Sequence, residues 1–214
     1  MTELIVALDG PKPQLLVNQL YGCGIRWFKI GPQAMVSSNW DNIITSGRPL
    51  GIKIFVDLKL ADTFDTVCEA VKRFADAGVA AVSTFTRLAT IAAIASAGTD
   101  LRVWQVLRLT DDDELGGTIL SRVVHGVICP GKLAPAYLDY GIDIVVPGIR
   151  FTNDVNHGHR HITYPSTCQH LGVTHAIVGR PIWQASDPIA AARRYIEALA
   201  LGPGLRKPKS TSPP

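Results

Sequence analysis

Apolar residues along this chain gather in short runs rich in Val and Ile, separated by segments whose apolar positions recur every three or four residues. The runs are LIVALD (4–9), RWFKIG (26–31), KIFVDLK (53–59), VAAVSTF (79–85), RVWQVLRLT (102–110), HGVICP (125–130), DIVVPGIR (143–150) and HAIVGR (175–180). Near-continuous apolar runs of this length predict β-strands covered on both faces. The segments PQLLVNQLYGCG (13–24), FDTVCEAVKRFADAG (64–78), RLATIAAIASAG (87–98) and APAYLDYG (134–141) carry helical spacing and end in glycine, the residue that most readily closes a helix.

Buried strands alternating with helices define an α/β protein with a parallel sheet, and eight such units in about 200 residues fit a closed (β/α)8 TIM barrel. A doubly wound open sheet gives the same alternation. The polar residues favour the barrel. Asp9, Lys29, Asp57 with Lys59, Thr110, Pro147 through Arg150, and Gly179 with Arg180 all stand at strand ends, which a barrel gathers at one mouth and an open sheet spreads along a line. A single catalytic domain is expected over residues 1–202. The Pro-, Ser- and Lys-rich remainder, 203–214, is expected to be a disordered tail.

Composition narrows the partners. At 47% hydrophobic and 18% charged residues the chain has ample material for a core, and a net charge of +3 without a long basic run gives no footprint for nucleic acid. No apolar stretch reaches membrane-spanning length. The four cysteines, Cys23, Cys68, Cys129 and Cys168, are widely spaced with no CxxC pair, which predicts reduced thiols and a cytoplasmic location.

The densest chemistry lies in FVDLKLADTFDT (55–66). Asp57 and Lys59, two apart on a strand, project from the same face. A solvated ion pair at a strand end is the plain reading. Barrel geometry argues for more, because Asp9 and Lys29 end the first and second strands and would join them in a network of alternating charge. Such a network loses hydration on assembly, and each ion depends on its neighbours to offset the loss. An ammonium placed there can protonate or steady a carbanion. Asp62 and Thr66 lie beyond the strand end, where they either cap the next helix or reach the site of a neighbouring subunit.

DLKLADTFDT resembles the DxKxxD motif of the orotidine 5'-monophosphate decarboxylase family, with Thr66 as the threonine four residues after the last Asp. ALD, FKIG, PGIR and VGR after strands one, two, seven and eight resemble the same family in order and spacing, as do GVICP and VGRPIWQASDP, so the likeness runs over roughly residues 3 to 200. DxKxxD alone is shared with metal-assisted sugar-phosphate enzymes on the same barrel. The combination is the stronger signal.

The resemblance implies decarboxylation of orotidylate to UMP, the last step of pyrimidine nucleotide synthesis, without metal or organic cofactor, in a homodimer with sites at the subunit interface. It implies catalytic roles for Lys29, Asp57, Lys59 and Asp62. Asp57 would face the substrate carboxylate, Lys59 would stabilise and protonate C6, and Lys29 would order the array. Asp9 would bind ribose with Lys29, while Asp62 and Thr66 would act in the partner's site. Thr110 would hydrogen-bond the pyrimidine, although TDDDEL after strand five also reads as a helix start. Arg150, Arg180 and the backbone at Gly179 would hold the phosphate, with Pro147 beside them and residues 150–165 as a lid.

Two positions depart from the family. His159 stands where a lid glutamine is usual, so lid closure is expected to gain pH dependence. Thr63 replaces an apolar residue after the last motif Asp. The alternating histidines 157, 159 and 161 form no evident metal set, because no carboxylate or cysteine completes one. Two other readings remain at this point, a Mg2+-assisted sugar-phosphate enzyme and a nucleotide binder without turnover.

Overall fold

The computed structural model describes residues 1–37, 40–107, 123–155 and 161–200. Its strands are β1 (Glu3–Ala7), β2 (Trp27–Ile30), β3 (Lys53–Leu60), β4 (Ala81–Phe85), β5 (Arg102–Val106), β6 (Gly126–Ile128), β7 (Asp143–Val146) and β8 (His175–Val178). The helices among the described residues are α1 (Pro13–Tyr21), α2 (Pro32–Ser37), α3 (Trp40–Gly47), α4 (Phe64–Asp76), α5 (Thr86–Ala95), α6 (Arg180–Trp183) and α7 (Pro188–Ala200). All eight predicted strands form, in parallel, and the order β1 to β8 closes on itself. Closure is made by β1 and β8, where Glu3 pairs with His175 and Val6 with Val178. The open-sheet alternative is thereby removed.

Strand periodicity sorts the apolar residues into two layers. Leu4, Val6, Phe28, Ile30, Ile54 and Val56 face outward and pack with helix residues such as Leu16, Leu20, Val67 and Val71. Ile5, Ala7, Trp27, Phe55, Ala81, Trp104 and Val106 face the barrel interior. Burying each larger side chain contributes about 1.5–3 kcal/mol.

The lower end of the barrel is filled with aromatic rings. Trp104 lies 4.7 Å from Phe55 and 5.5 Å from Trp27, centroid to centroid, and His175 packs edge-on to Trp27 at 5.0 Å. Their polar edges are answered: Trp27 Nε1 donates to Glu3 at 2.9 Å, and Trp104 Nε1 donates to Asp143 at 3.0 Å. This plug leaves the carboxyl ends of the strands as the open mouth, where barrel sites are built.

Two expected elements differ. Residues 134–141 were expected to be helical, and Gly131–Tyr140 instead winds as a 3-10 helix with Pro135 inside it. Proline lacks the N–H and crowds the preceding turn, which disfavours a regular α-helix there. The predicted strand 143–150 stops at Val146, because Pro147 has no N–H with which to extend the ladder. The expected disordered tail, 203–214, lies outside the described residues. No helix among the described residues is long and apolar enough to cross a membrane. All four cysteines are free, and burial pushes the Cys129 and Cys168 thiols up to about 12.

Candidate active site

The inward parity of each strand carries one step further, to its polar end. After Ile5 and Ala7 comes Asp9, after Trp27 comes Lys29, after Phe55 comes Asp57, and after Ala81 comes Ser83. A cavity of about 520 Å³ opens there, lined by Asp9, Lys29, Asp57 and Lys59 on one side and by Pro147, Arg150, Gly179 and Arg180 on the other.

The four charges form an alternating chain. Lys29 Nζ stands 3.4 Å from Asp9 Oδ1 and 3.6 Å from Asp57 Oδ2, and Lys59 Nζ stands 3.0 Å from Asp57 Oδ1. The middle members are the more buried, with Lys29 and Asp57 side chains 11% and 12% exposed against 29% for Asp9 and 31% for Lys59. Burial works against ionisation of Asp57, but the Lys29 charge, then Lys59 and the Ser83 hydrogen bond, outweigh it and hold the carboxyl below its usual range. Gly31 gives the chain its room: a Cβ there would fall 2.8 Å from Lys29 Nζ.

Asp57 and Lys59 do not meet as simple strand neighbours. Val56 pairs with Val82 and Leu60 with Thr84, so the ladder shifts between them, and Lys59 adopts φ 51. A left-handed backbone at a residue other than glycine costs about 1–2 kcal/mol. Ser83, fully buried on β4, spans the break by donating to Asp57 Oδ1 at 2.7 Å and accepting from the Lys59 N–H at 2.9 Å.

Across the cavity, Arg150 is buried, and its Nη1 donates to the Ile149 carbonyl at 2.7 Å. Among the described residues its Nε has no hydrogen-bond partner, and neither does the buried Nε1 of Trp183, which also lines the cavity. Burial, and after it the like charge of Arg180, pull the Arg150 guanidinium below its ordinary pKa against the opposing effect of Tyr195. Buried donors without acceptors at a cationic wall suit an anion. Trp183 packs its ring against Gly10, where a Cβ would come within 3.1 Å of it.

The proposed lid begins and ends on a clasp. Arg150 N donates to Thr163 O at 3.1 Å and Thr163 N to Gly148 O at 3.2 Å. Asp154 accepts the Phe151 N–H at 2.9 Å and the Tyr195 hydroxyl, tying the start of this segment to α7.

The structure thus brings Asp9, Lys29, Asp57, Lys59, Pro147, Arg150, Gly179 and Arg180 to one cavity. Asp62 and Thr66 do not line it and are exposed. Asp62 Oδ1 accepts the Thr63 N–H at 2.6 Å, Thr66 and Thr63 share a hydroxyl contact of 2.9 Å, and Thr63 itself takes the N-cap position of α4. Thr110 and His159 lie outside the described residues. Ser83 behind Asp57, and Gln33 and Trp183 in the cavity lining, were not singled out from sequence. The period-two count from Ala81 would have found Ser83, whereas no pattern marks Trp183. Among the described residues no three His, Cys, Asp or Glu side chains gather as a metal set.

The sequence model of the orotidine 5'-phosphate decarboxylase / HUMPS family matches residues 2–195. The orotidine 5'-phosphate decarboxylase of Maridesulfovibrio salexigens is 31% identical over 230 residues, covering 93% of this chain and 99% of the relative. That of Opitutus terrae is 29% identical over 227 residues, covering 92% and 98%. Among solved structures, orotidine 5'-phosphate decarboxylase from Lactobacillus acidophilus superposes with a TM-score of 0.70 at 24% identity, covering 94% of this chain and all, 100%, of that one. The Pyrococcus horikoshii enzyme superposes with a TM-score of 0.71 at 21% identity over 92% and 98% of the two chains. These structural likenesses concern the fold.

Proposed function

Because the chain belongs to the orotidine 5'-phosphate decarboxylase / HUMPS family, we propose that its cavity decarboxylates orotidine 5'-monophosphate to UMP through the Asp9–Lys29–Asp57–Lys59 array. As a carboxy-lyase acting in pyrimidine synthesis, it has to break a carbon–carbon bond and protonate the carbon left behind. The observation that carries the reading is the placement of Lys59, the more exposed end of an alternating charge chain, across one cavity from the buried arginine Arg150.

Arg150, Arg180, the backbone at Gly179 and the Trp183 N–H take the phosphate. This places the pyrimidine C6 carboxylate against Asp57 and Lys59. The C6 to carboxyl bond breaks, CO2 leaves, and the electron pair stays at C6. Lys59 Nζ gives its proton to that carbon, forming UMP, and regains one from water. Attraction between the ammonium and the growing charge strengthens only as the bond breaks, so it lowers the barrier instead of merely tightening the substrate. Asp9 and Lys29 bind ribose hydroxyls, and Lys29 keeps Asp57 ionised.

Both carboxylates of the array are engaged by ammonium groups, an arrangement suited to catalysis by charge without a metal. Asp62 and Thr66, exposed and outside their own cavity, complete the site of a second subunit in a homodimer. Thr110 and His159 contact the pyrimidine and the phosphate.

The test follows the ultraviolet absorbance of orotidylate with purified protein, with and without EDTA, beside Lys59→Ala. Turnover that survives EDTA and disappears in the variant is expected. Turnover lost with EDTA would transfer the site to metal-assisted chemistry. Binding of orotidylate or UMP without turnover would make the protein a binder.

A further inference from the structure

Ser83 sits at the break in the β3–β4 ladder. Because Val56 pairs with Val82 and Leu60 with Thr84, Asp57, Leu58 and Lys59 face Ser83 alone. The surplus length brings the Asp57 and Lys59 side chains to one place, but it also takes the Lys59 N–H out of the regular ladder and sets Lys59 at φ 51. A displaced amide beside a buried carboxylate needs a partner that is donor and acceptor at once. A serine hydroxyl is both.

The Ser83 hydroxyl gives its proton to Asp57 Oδ1 at 2.7 Å and accepts the Lys59 N–H at 2.9 Å. The same Oδ1 receives Lys59 Nζ at 3.0 Å, while Oδ2 faces Lys29 at 3.6 Å. Ser83 is fully buried, so water does not compete for either bond. Resting on the decarboxylase reading above, we infer that Ser83 is a positioning residue that locks the Asp57 carboxylate and the Lys59 backbone to each other. The phosphate is held at the other end of the cavity, and the ribose by Asp9 and Lys29, so loss of this lock falls on the chemical step.

Ser83→Ala leaves the Lys59 amide unpaired and frees the Asp57 carboxylate to turn. Ser83→Thr keeps the hydroxyl. The expected result for Ser83→Ala is a kcat lower by about tenfold to a hundredfold with KM within about threefold, recovered in large part by Ser83→Thr. Loss of one hydrogen bond to the ionised form also moves the Asp57 titration upward. That titration is read by side-chain carboxyl 13C resonances in the whole protein, with Asp57→Asn to assign the signal, and needs no turnover.

An Ala variant with kcat within twofold of wild type, or with an unmoved Asp57 titration, would overturn the inference. Equal impairment of Ala and Thr variants with a shared drop in Tm and no titration change would reduce Ser83 to packing and overturn it as well. If wild type fails to turn over orotidylate, the decarboxylase reading fails, and the titration still decides whether Ser83 governs Asp57.

Discussion

The Nζ of Lys59 lies 3.0 Å from Asp57 Oδ1, while the Lys59 backbone occupies the left-handed region at φ 51. The chain tolerates an unfavourable backbone to hold an ammonium against a carboxylate at the cavity wall, and strain of that kind concentrates at functional sites. Lys59→Ala is expected to lower kcat/KM for orotidylate by about 10²- to 10⁴-fold or more, the range associated with loss of a positioned acid. UMP affinity, measured by calorimetry, should change far less.

Asp57 has its carboxyl held below the usual range: burial opposes ionisation, but Lys29 foremost, with Lys59 and Ser83, overcomes it. A depressed carboxylate contributes stability that is present above its unfolded value, 3.8, and is lost as pH falls through the lower folded value. Asp57 should therefore stay ionised through the ordinary carboxylate range. Lys29→Met removes the leading opposing charge, and the acid limb of kcat/KM is expected to move to higher pH. A pH profile from 4 to 8 on both proteins, at constant ionic strength, checks this.

Trp183 presents a buried N–H that meets no hydrogen-bond partner among the described residues, at the cationic end of the cavity. Trp183→Phe keeps a ring against Gly10 and removes only the donor. KM should rise about tenfold, the value of one hydrogen bond to a charged group, with kcat nearly unchanged. Arg180→Ala should act in the same direction and more strongly. For the orotidine nucleoside, which has no phosphate, neither variant should differ from wild type.

Asp62, just before α4, and Thr66, in its first turn, are exposed, as is Phe64 between them, which is 60% exposed. If they serve a partner's site, Asp62→Ala and Lys59→Ala proteins, each inactive alone, should regain activity when mixed. Random exchange of subunits predicts up to about one intact site in four. No recovery after exchange shown by mass spectrometry would remove the shared site.

At the closed end of the barrel, the His175 imidazole, ahead of the Trp27 N–H, holds Glu3 down to about 2 against the burial that would raise it. His175 Nε2 lies 3.3 Å from Glu3 Oε2. Stability from Glu3 should be complete above pH 4.5 and decline toward pH 2. Glu3→Gln should lower Tm at neutral pH, and its deficit relative to wild type should shrink as pH falls through that window. Activity per folded molecule should stay the same.

Strand and helix periodicity were local properties of the sequence. Eight apolar runs, their inward parity and the polar residues at six strand ends were legible along the chain, and that parity pointed Asp9, Lys29 and Asp57 to one mouth, which Lys59 reaches through the shift in the β3–β4 ladder. Arg150, Gly179 and Arg180 were legible from their place just beyond strands seven and eight, in PGIR and VGR, and not from strand parity. What the sequence did not contain was any fact that depends on two strands at once. The ladder shift between β3 and β4 is a relation of register, so neither the φ of Lys59 nor the double contact of Ser83 could be read from either strand alone. That the Trp183 N–H meets no acceptor among the described residues depends likewise on its surroundings in space. Local pattern decided which residues reach the site, and the packing of neighbouring strands decided how they are held, because hydrogen bonds and ion pairs are made between atoms that the chain order keeps far apart.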